Sequence, residues 1–351
     1  MLNPRIYRAA FLPVFVAVVV LAFSFHHEPG ALGTNLAPAA FNGQAAFNRL
    51  TNLAEHYPSR RPGSPGDNGV ASQIASSLHA YKNFTVTQST FQARTVDGTR
   101  TMQTVIGEQP GSSSGRIVVI AHRDALGRHA TADLSGTATL LELARVLAGR
   151  TLNRTVELIS TSGSTGLAGV TKLAGSLGGP IDAVIVLGDV AGKRVAEPVV
   201  VPWSGAENLA PPLLRNTAAA AVRSEARIAP GGADLAAQFA RLAFPLTLSE
   251  QGPFNALGIP AVLLSRAGER GPSANAQVSE PALAAFGGAA LQTISALDGG
   301  PDIPPPSAYL VYKQMTVPVW PVRLLVLALI LPVLCAAIDG FARARRRGHT
   351  V

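Results

Sequence analysis

The sequence predicts an α/β protein, a doubly wound, mostly parallel β-sheet with helices on both faces, flanked by two transmembrane helices. Three observations lead to this prediction. Short apolar runs rich in β-branched residues recur along the chain, as is typical of buried parallel strands. Segments with apolar residues at helical spacing lie between them. Two longer apolar segments stand near the two ends, each beside a cluster of arginines.

The predicted elements of the central region follow one another in a strand–helix rhythm. Helices are predicted for residues 45–56, 68–81 and 136–147. Strands are predicted for residues 84–92, 101–106, 117–121, 156–160, 183–187 and 261–264. In sheets of this kind ligands bind beyond the carboxyl ends of the parallel strands, so we expect the functional residues there.

Composition restricts the class of protein. The chain has 351 residues, a formal net charge of +8 and a single cysteine, Cys335, which excludes a disulfide framework. No basic stripe with interleaved aromatic residues is present, so no nucleic-acid partner is expected. The Ala-, Gly- and Arg-rich composition is typical of a bacterial chain. The terminal arginines are Arg5 and Arg8, then Arg343, Arg345, Arg346 and Arg347.

The first apolar segment, residues 9–25, is near the lower length limit for a membrane span. A cleaved signal peptide is the alternative, with a small-residue cleavage site at residues 37–39. The second segment covers residues 317–338. Trp320 and Arg323 near its start suit a membrane interface, and Pro332 is tolerated in a membrane helix.

The arginine clusters predict the topology, because positively charged flanks stay in the cytoplasm. Residues 1–8 and the basic tail 339–351 are then cytoplasmic. We expect an extracytoplasmic domain at residues 44–298 of a cell-membrane protein. The polar stretches 26–43 and 299–316, rich in Pro and Gly, are predicted to link that domain to the two spans.

Six stretches of the central region carry a resemblance to a known family. They are PSRRPGSPG (58–66), IVVIAHRDA (117–125), HATADLSGTATLLELARVL (129–147), VELISTSGSTGLAG (156–169), AVIVLGDVAG (183–192) and LSEQGPFNALGIPAVLL (248–264). In these stretches the chain resembles the co-catalytic zinc aminopeptidases, which include bacterial leucyl-type aminopeptidases, glutaminyl cyclases and the transferrin receptor ectodomain. The stretches occur in the family's order over the whole predicted domain.

The resemblance implies a site with two zinc ions. Family members bridge the two ions with a carboxylate, give each ion a His and a further carboxylate, and use a Glu as general base. By this comparison His122 and Asp189 stand at metal-ligand positions. Asp124 stands where the family places the carboxylate that orients the first His ligand.

The remaining positions depart from the family pattern, so the chain resembles a degenerate member. Thr131 stands at the position of the bridging Asp, and Gly163 at that of the general base. Ser164 replaces a Glu ligand, and Gln251 replaces the second His ligand, with Glu250 before it. Hydroxyl and amide groups bring no charge to offset two dications, and glycine has no side chain to act as a base. We therefore expect no cofactor.

Three alternatives remain open for the polar residues. A rebuilt site for one zinc ion would combine His122 and Asp189 with a third ligand from His129, Asp133, Asp124 or Glu250. Alternatively, His129 is a solvated loop residue, Asp133 an acidic residue at a helix start, and His122 with Asp189 a hydrogen-bonded remnant. A nucleophilic triad of Ser164, His122 and Asp124 is also formally available.

The sequence thus favours a membrane-anchored domain of aminopeptidase fold that binds a peptide or protein without cleaving it. The alternative is an active metal-dependent aminopeptidase or other hydrolase with a single-metal site. A structural membrane protein that binds nothing in the former cleft is a third interpretation.

Overall fold

The computed structural model describes residues 4–34 and 40–346. The chain divides into two compact units, Pro29–Ser307 and a smaller unit formed by Met1–Glu28 with Ala308–Val351. The proposed cleavage site at residues 37–39 and the tail arginine Arg347 lie outside the described residues.

The elements of both units are numbered here in chain order. The helices are α1 Pro4–Phe23, α2 Gly43–His56, α3 Pro65–His79, α4 Ser135–Leu147, α5 Ala168–Ala174, α6 Pro212–Ala226, α7 Leu235–Ala243, α8 Gly252–Ala256, α9 Glu280–Asp298 and α10 Val319–Arg346. The strands are β1 His26–His27, β2 Thr85–Thr95, β3 Gly98–Gln109, β4 Arg116–His122, β5 Thr155–Thr161, β6 Ala183–Leu187, β7 Val200–Val201, β8 Ala261–Leu264, β9 Tyr309–Tyr312 and β10 Met315–Pro318.

A seven-stranded sheet forms the centre of the larger unit, in the order β2-β3-β5-β4-β6-β8-β7. Its four central strands, β5, β4, β6 and β8, run parallel. The flanking strands pair antiparallel, with β2 and β3 at one side and β7 at the other. The predicted α/β fold with a mostly parallel central sheet is confirmed.

Both faces of the sheet are covered by helices, and alternate strand residues enter two separate cores. Ile117, Val119 and Ala121 of β4 pack into the larger core, with side chains from α2, α3, α4, α6 and α9. Val118 and Ile120 point to the other face and pack with side chains from α5 and α8. This two-residue alternation is why the run reads as uniformly apolar in the sequence.

Local sequence signals explain where several helices begin. The Asn42 side chain accepts a hydrogen bond from the Ala45 N–H at 3.0 Å and so caps α2. Ser64 caps α3, whose first residue is Pro65, a common pairing at helix starts. In α4, a Cβ on Gly136 would lie 2.3 Å from the Leu187 carbonyl oxygen. Only glycine therefore allows α4 to approach β6 this closely.

The smaller unit contains α1, α10 and a three-stranded sheet in the order β1-β10-β9. Within residues 299–316, the stretch predicted as a linker, β9 and the start of β10 form a hairpin. The following helix begins at Val319 and runs to Arg346, so it extends beyond the predicted span 317–338. The period-two pattern in this stretch is too short to distinguish from a loop in the sequence.

Within the described residues, α10 is the one helix long and apolar enough to cross a membrane. The apolar part of α1 is shorter and covers Phe11–Phe23. The structure therefore supports one candidate span, and the prediction of two is not confirmed.

Candidate functional site

A cleft of about 680 Å³ opens beyond the carboxyl ends of the parallel strands. The pairing of the parallel strands explains which residues lie at this cleft. His122, the last residue of β4, pairs with Thr161 of β5, and Asp189 follows the end of β6. Ser265, directly after β8, completes the row. His122, Asp189 and Ser265 line the cleft, and Thr161 does not. The cleft thus lies at the carboxyl ends of the parallel strands, where the functional residues are expected from the sequence.

His122 is held between two carboxylates. Its Nδ1 lies 3.0 Å from Glu250 Oε2, and its Nε2 lies 3.9 Å from Asp133 Oδ1. Burial alone would lower the pKa of His122. The charge of Glu250 and the hydrogen bonds of both carboxylates outweigh it and raise that pKa well above its usual value. The two carboxylates therefore favour the protonated form of the imidazole, whose Nδ1 contacts Glu250.

Buried Asp124 and half-buried Ser164 form a second pair. The Ser164 backbone N–H donates to both Asp124 oxygens at 3.2 and 3.1 Å, and its hydroxyl donates to Oδ2 at 3.0 Å. Burial raises the pKa of Asp124 to about 6, although the charge of His122 opposes the shift. The hydroxyl of Ser164 is thus directed to a carboxylate and not to His122, so the geometry of a nucleophilic triad is not formed.

Asp189 is fixed by its own loop. Its Oδ1 accepts hydrogen bonds from the backbone N–H of Ala191 at 3.0 Å and of Gly192 at 2.7 Å. The Ser135 hydroxyl lies 3.3 Å from the same oxygen. Burial raises the pKa of Asp189, and these donors oppose that rise. One oxygen of the carboxylate therefore stabilises the turn that follows β6.

Gly163 lies directly before Ser164 in a left-handed conformation, with φ of +82°. A Cβ at this position would lie 2.9 Å from Met102 Sδ, and Met102 is fully buried. The position predicted for a general base is therefore strained for any residue with a side chain.

Gln251 is fully buried and turned away from the cleft. Its side-chain amide donates to the Trp203 carbonyl oxygen at 2.8 Å. Glu250, the neighbouring residue, lines the cleft and is 6% exposed. Glu250 thus faces the cleft, whereas Gln251 lies in the core and bonds to Trp203 there.

In the loop before α4, the residue that lines the cleft is not one of those that the family resemblance put at the metal-binding positions. His129 is exposed, at φ of +56°, and neither it nor Thr131 is among the residues that line the cleft. Asp133 lines the cleft instead. It lies on a 3₁₀ turn, Ala132–Leu134, two residues after the aligned position Thr131.

Comparison with known proteins shows which family the cleft-forming region resembles. The sequence model of peptidase family M28 matches residues 104–277. The region that this model matches is similar to that family, and we call it the M28 domain for that similarity. The resemblance to the co-catalytic zinc aminopeptidases is thereby confirmed for the part of the chain that forms the cleft. Among curated proteins, none matches the chain.

Solved structures show the same fold for the M28 domain. An aminopeptidase from an Aneurinibacillus species has a TM-score of 0.61 at 14% identity, covering 78% of this chain and 98% of its own. A glutaminyl cyclase from an Acidobacteriales bacterium has a TM-score of 0.57 at 20% identity, covering 75% and 97%. A protein from Bacteroides vulgatus, assigned as a zinc-dependent exopeptidase, has a TM-score of 0.52 at 16% identity, covering 77% and 98%.

The donor set of this M28 domain does not suit two zinc ions. Gln251 is fully buried and is not among the residues that line the cleft. One oxygen of Asp189 is committed to backbone N–H groups. Zinc sites are built from ionised carboxylates, thiolates and neutral imidazoles, and these must converge on one point. Within the described part of the chain, no group of three or more His, Cys, Asp or Glu side chains is arranged to hold a metal ion.

Sequence reasoning missed a buried ion pair beneath the cleft of the M28 domain. Arg123 Nε lies 2.8 Å from Asp67 Oδ1, and both side chains are fully buried. The Ser162 hydroxyl donates to Asp67 Oδ2 at 2.6 Å, and Arg60 Nε donates to the Arg123 carbonyl oxygen at 3.1 Å. The signal was the arginine inside AHRD, since an arginine directly after a buried strand needs a buried partner.

Proposed function

We propose that the M28 domain is a non-catalytic module that binds a peptide or protein and is held at a membrane. The observation that carries the proposal is Gly163. A left-handed glycine stands where the family resemblance puts the general base, and buried Met102 fills the space beside it. Without that carboxylate the cleft retains shape and charge but has no group at this position to activate water.

The carboxylates around His122 support the same proposal. Both imidazole nitrogens face acidic side chains, Glu250 at 3.0 Å and Asp133 at 3.9 Å. These contacts stabilise the protonated imidazole, which has no free lone pair for a metal ion.

Membrane attachment is supported by the smaller unit. Most of the apolar side chains of α10 are exposed, for example Leu327 at 58% and Val333 at 63%. An apolar helix surface of this extent is costly in water and stable in lipid. The helix ends in Arg343, Arg345 and Arg346, which suit the cytoplasmic side of a membrane.

A hydrolase with one metal ion is the second candidate function. The observation that favours it is that Asp133 lies 3.9 Å from His122 Nε2 and that Asp189 lines the same cleft. These three residues would hold the ion, which would supply a polarised carbonyl and an acidified water. The competing contacts of His122 with Glu250 and of Asp189 with its turn weigh against this candidate.

Metal content and turnover of the full-length protein in detergent distinguish the two functions. The protein is dialysed with trace zinc, and the bound metal is measured by elemental analysis. Release of amino acids and cyclisation of N-terminal glutamine are assayed on peptide mixtures. We expect no zinc that depends on His122 and no turnover.

The matched control is His79→Ala, because His79 is exposed on α3 and far along the chain from the cleft residues. Zinc bound at about one ion per chain, lost in His122→Ala and retained in His79→Ala, would establish the metal site. Turnover that disappears together with that zinc would refute the non-catalytic proposal.

A further inference from the structure

The cleft of the M28 domain is acidic, although the chain as a whole carries a net charge of +8. Two basic side chains, His122 and Arg270, line it. His122 lies between two of the acidic side chains. The lining carboxylates are Asp124, Asp133, Asp189, Glu250 and Glu269. Acidic walls of this kind concentrate cationic ligands.

Two buried polar atoms of cleft residues have no hydrogen-bond partner. Glu250 is 6% exposed and Ser265 is 1% exposed. Glu250 Oε1 and the Ser265 hydroxyl oxygen are both without a partner among the described residues, and both residues line the cleft. An unpaired buried polar group costs about 1–3 kcal/mol. Two of them in one acidic cleft indicate that a polar ligand completes the site.

An exposed apolar rim borders the acidic cleft. Phe244 is 80% exposed, Leu246 65% and Leu248 63%. Leu248 also lines the cleft, and Phe244 and Leu246 lie four and two residues before it along the chain. Exposed apolar residues grouped along one segment beside a cleft are typical of a binding surface.

Polar contacts fasten the segment that carries this rim. The guanidinium of Arg241, on α7, lies 3.8 Å from the centre of the Trp203 ring and 2.9 Å from Glu269 Oε2. Burial would raise the pKa of Glu269, but the hydrogen bonds from Thr247 and Arg241 and the charge of Arg241 lower it. The rim is thus held in place while its apolar side chains remain outside the core.

The cavity does not end at Asp189. A second cavity of about 360 Å³ shares Asp189, Gly271 and Pro272 with the cleft. The exposed basic residues Lys193 and Arg194 line it. A bound chain can therefore continue past Asp189, so the groove suits an internal segment as well as a chain end.

We propose that the cleft binds the cationic side chain of an internal lysine or arginine of a protein partner. The ammonium or guanidinium group lies among Asp133, Asp189 and Glu250, and apolar residues next to it in the partner pack on Phe244, Leu246 and Leu248. This inference rests on the non-catalytic binding function proposed above. It adds the chemical class of the ligand and the part of the partner that enters the cleft.

Synthetic peptides test the proposal with full-length protein in detergent micelles. The first probe is a fluorescent, N-acetylated and C-amidated peptide with a central Leu-Lys-Phe. Three others replace its lysine by arginine, replace the lysine by uncharged norleucine, or leave the N-terminus free on the norleucine peptide. Affinity is measured by fluorescence anisotropy. We expect the blocked lysine or arginine peptide to bind about tenfold more tightly than both norleucine peptides.

Variants locate the binding. Asp133→Asn removes a charge from a partly exposed side chain, and Leu248→Ser removes an exposed apolar contact, so both leave the core intact. Each should weaken binding of the lysine peptide by about tenfold. The matched control is Glu55→Gln, which removes an exposed carboxylate on α2 and should leave the affinity unchanged.

Three results would overturn the proposal: equal binding of the lysine and norleucine peptides, preference for the free N-terminus, or no binding of any peptide. The first two leave a non-catalytic binding function intact and reject only the ligand class assigned to it. Failure of the non-catalytic function itself would appear separately, as zinc-dependent turnover in the assay described above.

Discussion

Gly163 stands where the family resemblance puts the general base, and its backbone restricts which residues can replace it. Its φ of +82° belongs to a region that residues with a Cβ rarely adopt. A new side chain would also displace buried Met102. A carboxylate therefore cannot be placed here by one substitution without a change in the turn after β5 and in the packing of β3.

The matched pair Gly163→Ala and Gly166→Ala tests this account. Gly166 has a similar φ of +86°, but the nearest atom to its Cβ is Val96 Cγ1 at 3.9 Å. Both alanines should cost about 1 kcal/mol for the left-handed backbone. Only Gly163→Ala should add about 1–3 kcal/mol of overpacking against Met102.

Chemical denaturation of the two variants measures the difference. The free energy of unfolding should fall further for Gly163→Ala than for Gly166→Ala. Equal losses would show that Met102 moves aside freely and that the position tolerates side chains.

Asp124 predicts how stability depends on pH. Its native pKa of about 6 lies above the unfolded value, because the carboxyl is buried. Between these two values the native state binds the proton and the unfolded chain does not. Stability therefore decreases as pH rises through this window, by about 3 kcal/mol for this group alone.

Asp124→Asn removes this titration while keeping an acceptor for Ser164. The measurement is urea denaturation of both proteins at a series of pH values from about 4 to 7. The variant should gain stability relative to the wild type as pH rises, and the gain should level off above about pH 6. A difference that is constant with pH would mean that Asp124 is ionised throughout the range.

At the scale of elements, the strands were predictable because their sequence signal is strong. The runs at 117–121 and 183–187 lie within β4 and β6, and both are buried on two faces. The predicted strands 84–92 and 101–106 lie within β2 and β3 apart from Phe84, and the turn between β2 and β3 falls in the gap between them. The family motifs then placed His122, Asp124 and Asp189 at the strand ends, where they line the cleft.

The direction of side chains after the strands was not predictable. Gln251 and Glu250 are neighbours, yet one enters the core and the other the cleft, because α8 begins directly after Gln251. The 3₁₀ turn before α4 brings Asp133 into the cleft rather than the aligned Thr131. These outcomes depend on tertiary contacts such as the Gln251–Trp203 bond, which links residues 48 positions apart.

The single cysteine provides a test of α10 as a membrane span. Cys335 is exposed on the surface of this helix, among apolar residues. Thiols react with maleimides as thiolates, which form in water and not in hydrocarbon. In membranes Cys335 should remain unmodified by a polyethylene glycol maleimide, and it should react fully after solubilisation in sodium dodecyl sulfate.

The control places a cysteine at Gln73, an exposed position of α3, in a Cys335→Ser background. That thiol should react both before and after the membrane is dissolved. Rapid modification of Cys335 in intact membranes would show that α10 is in contact with water and does not span the bilayer.

At the scale of the whole molecule, the smaller unit brings the end of α1 and the start of α10 close together. β1 follows α1 closely, β10 directly precedes α10, and the two strands pair antiparallel. The two helices also pack against each other. The chain therefore leaves α1 and enters α10 at the same end of the unit. If both helices lie in the bilayer, both termini lie on the same side and residues 29–307 on the other.

This topology predicts opposite labelling of two engineered cysteines in the Cys335→Ser background. Gln73→Cys, in the larger unit, should react with a membrane-impermeant maleimide on intact cells. His349→Cys, beside the terminal arginines, should react only after the cells are broken, because those charges are retained in the cytoplasm. Labelling of His349→Cys on intact cells, or protection of Gln73→Cys, would reverse the orientation. It would then place the acidic cleft, and any partner with a basic segment, on the cytoplasmic side.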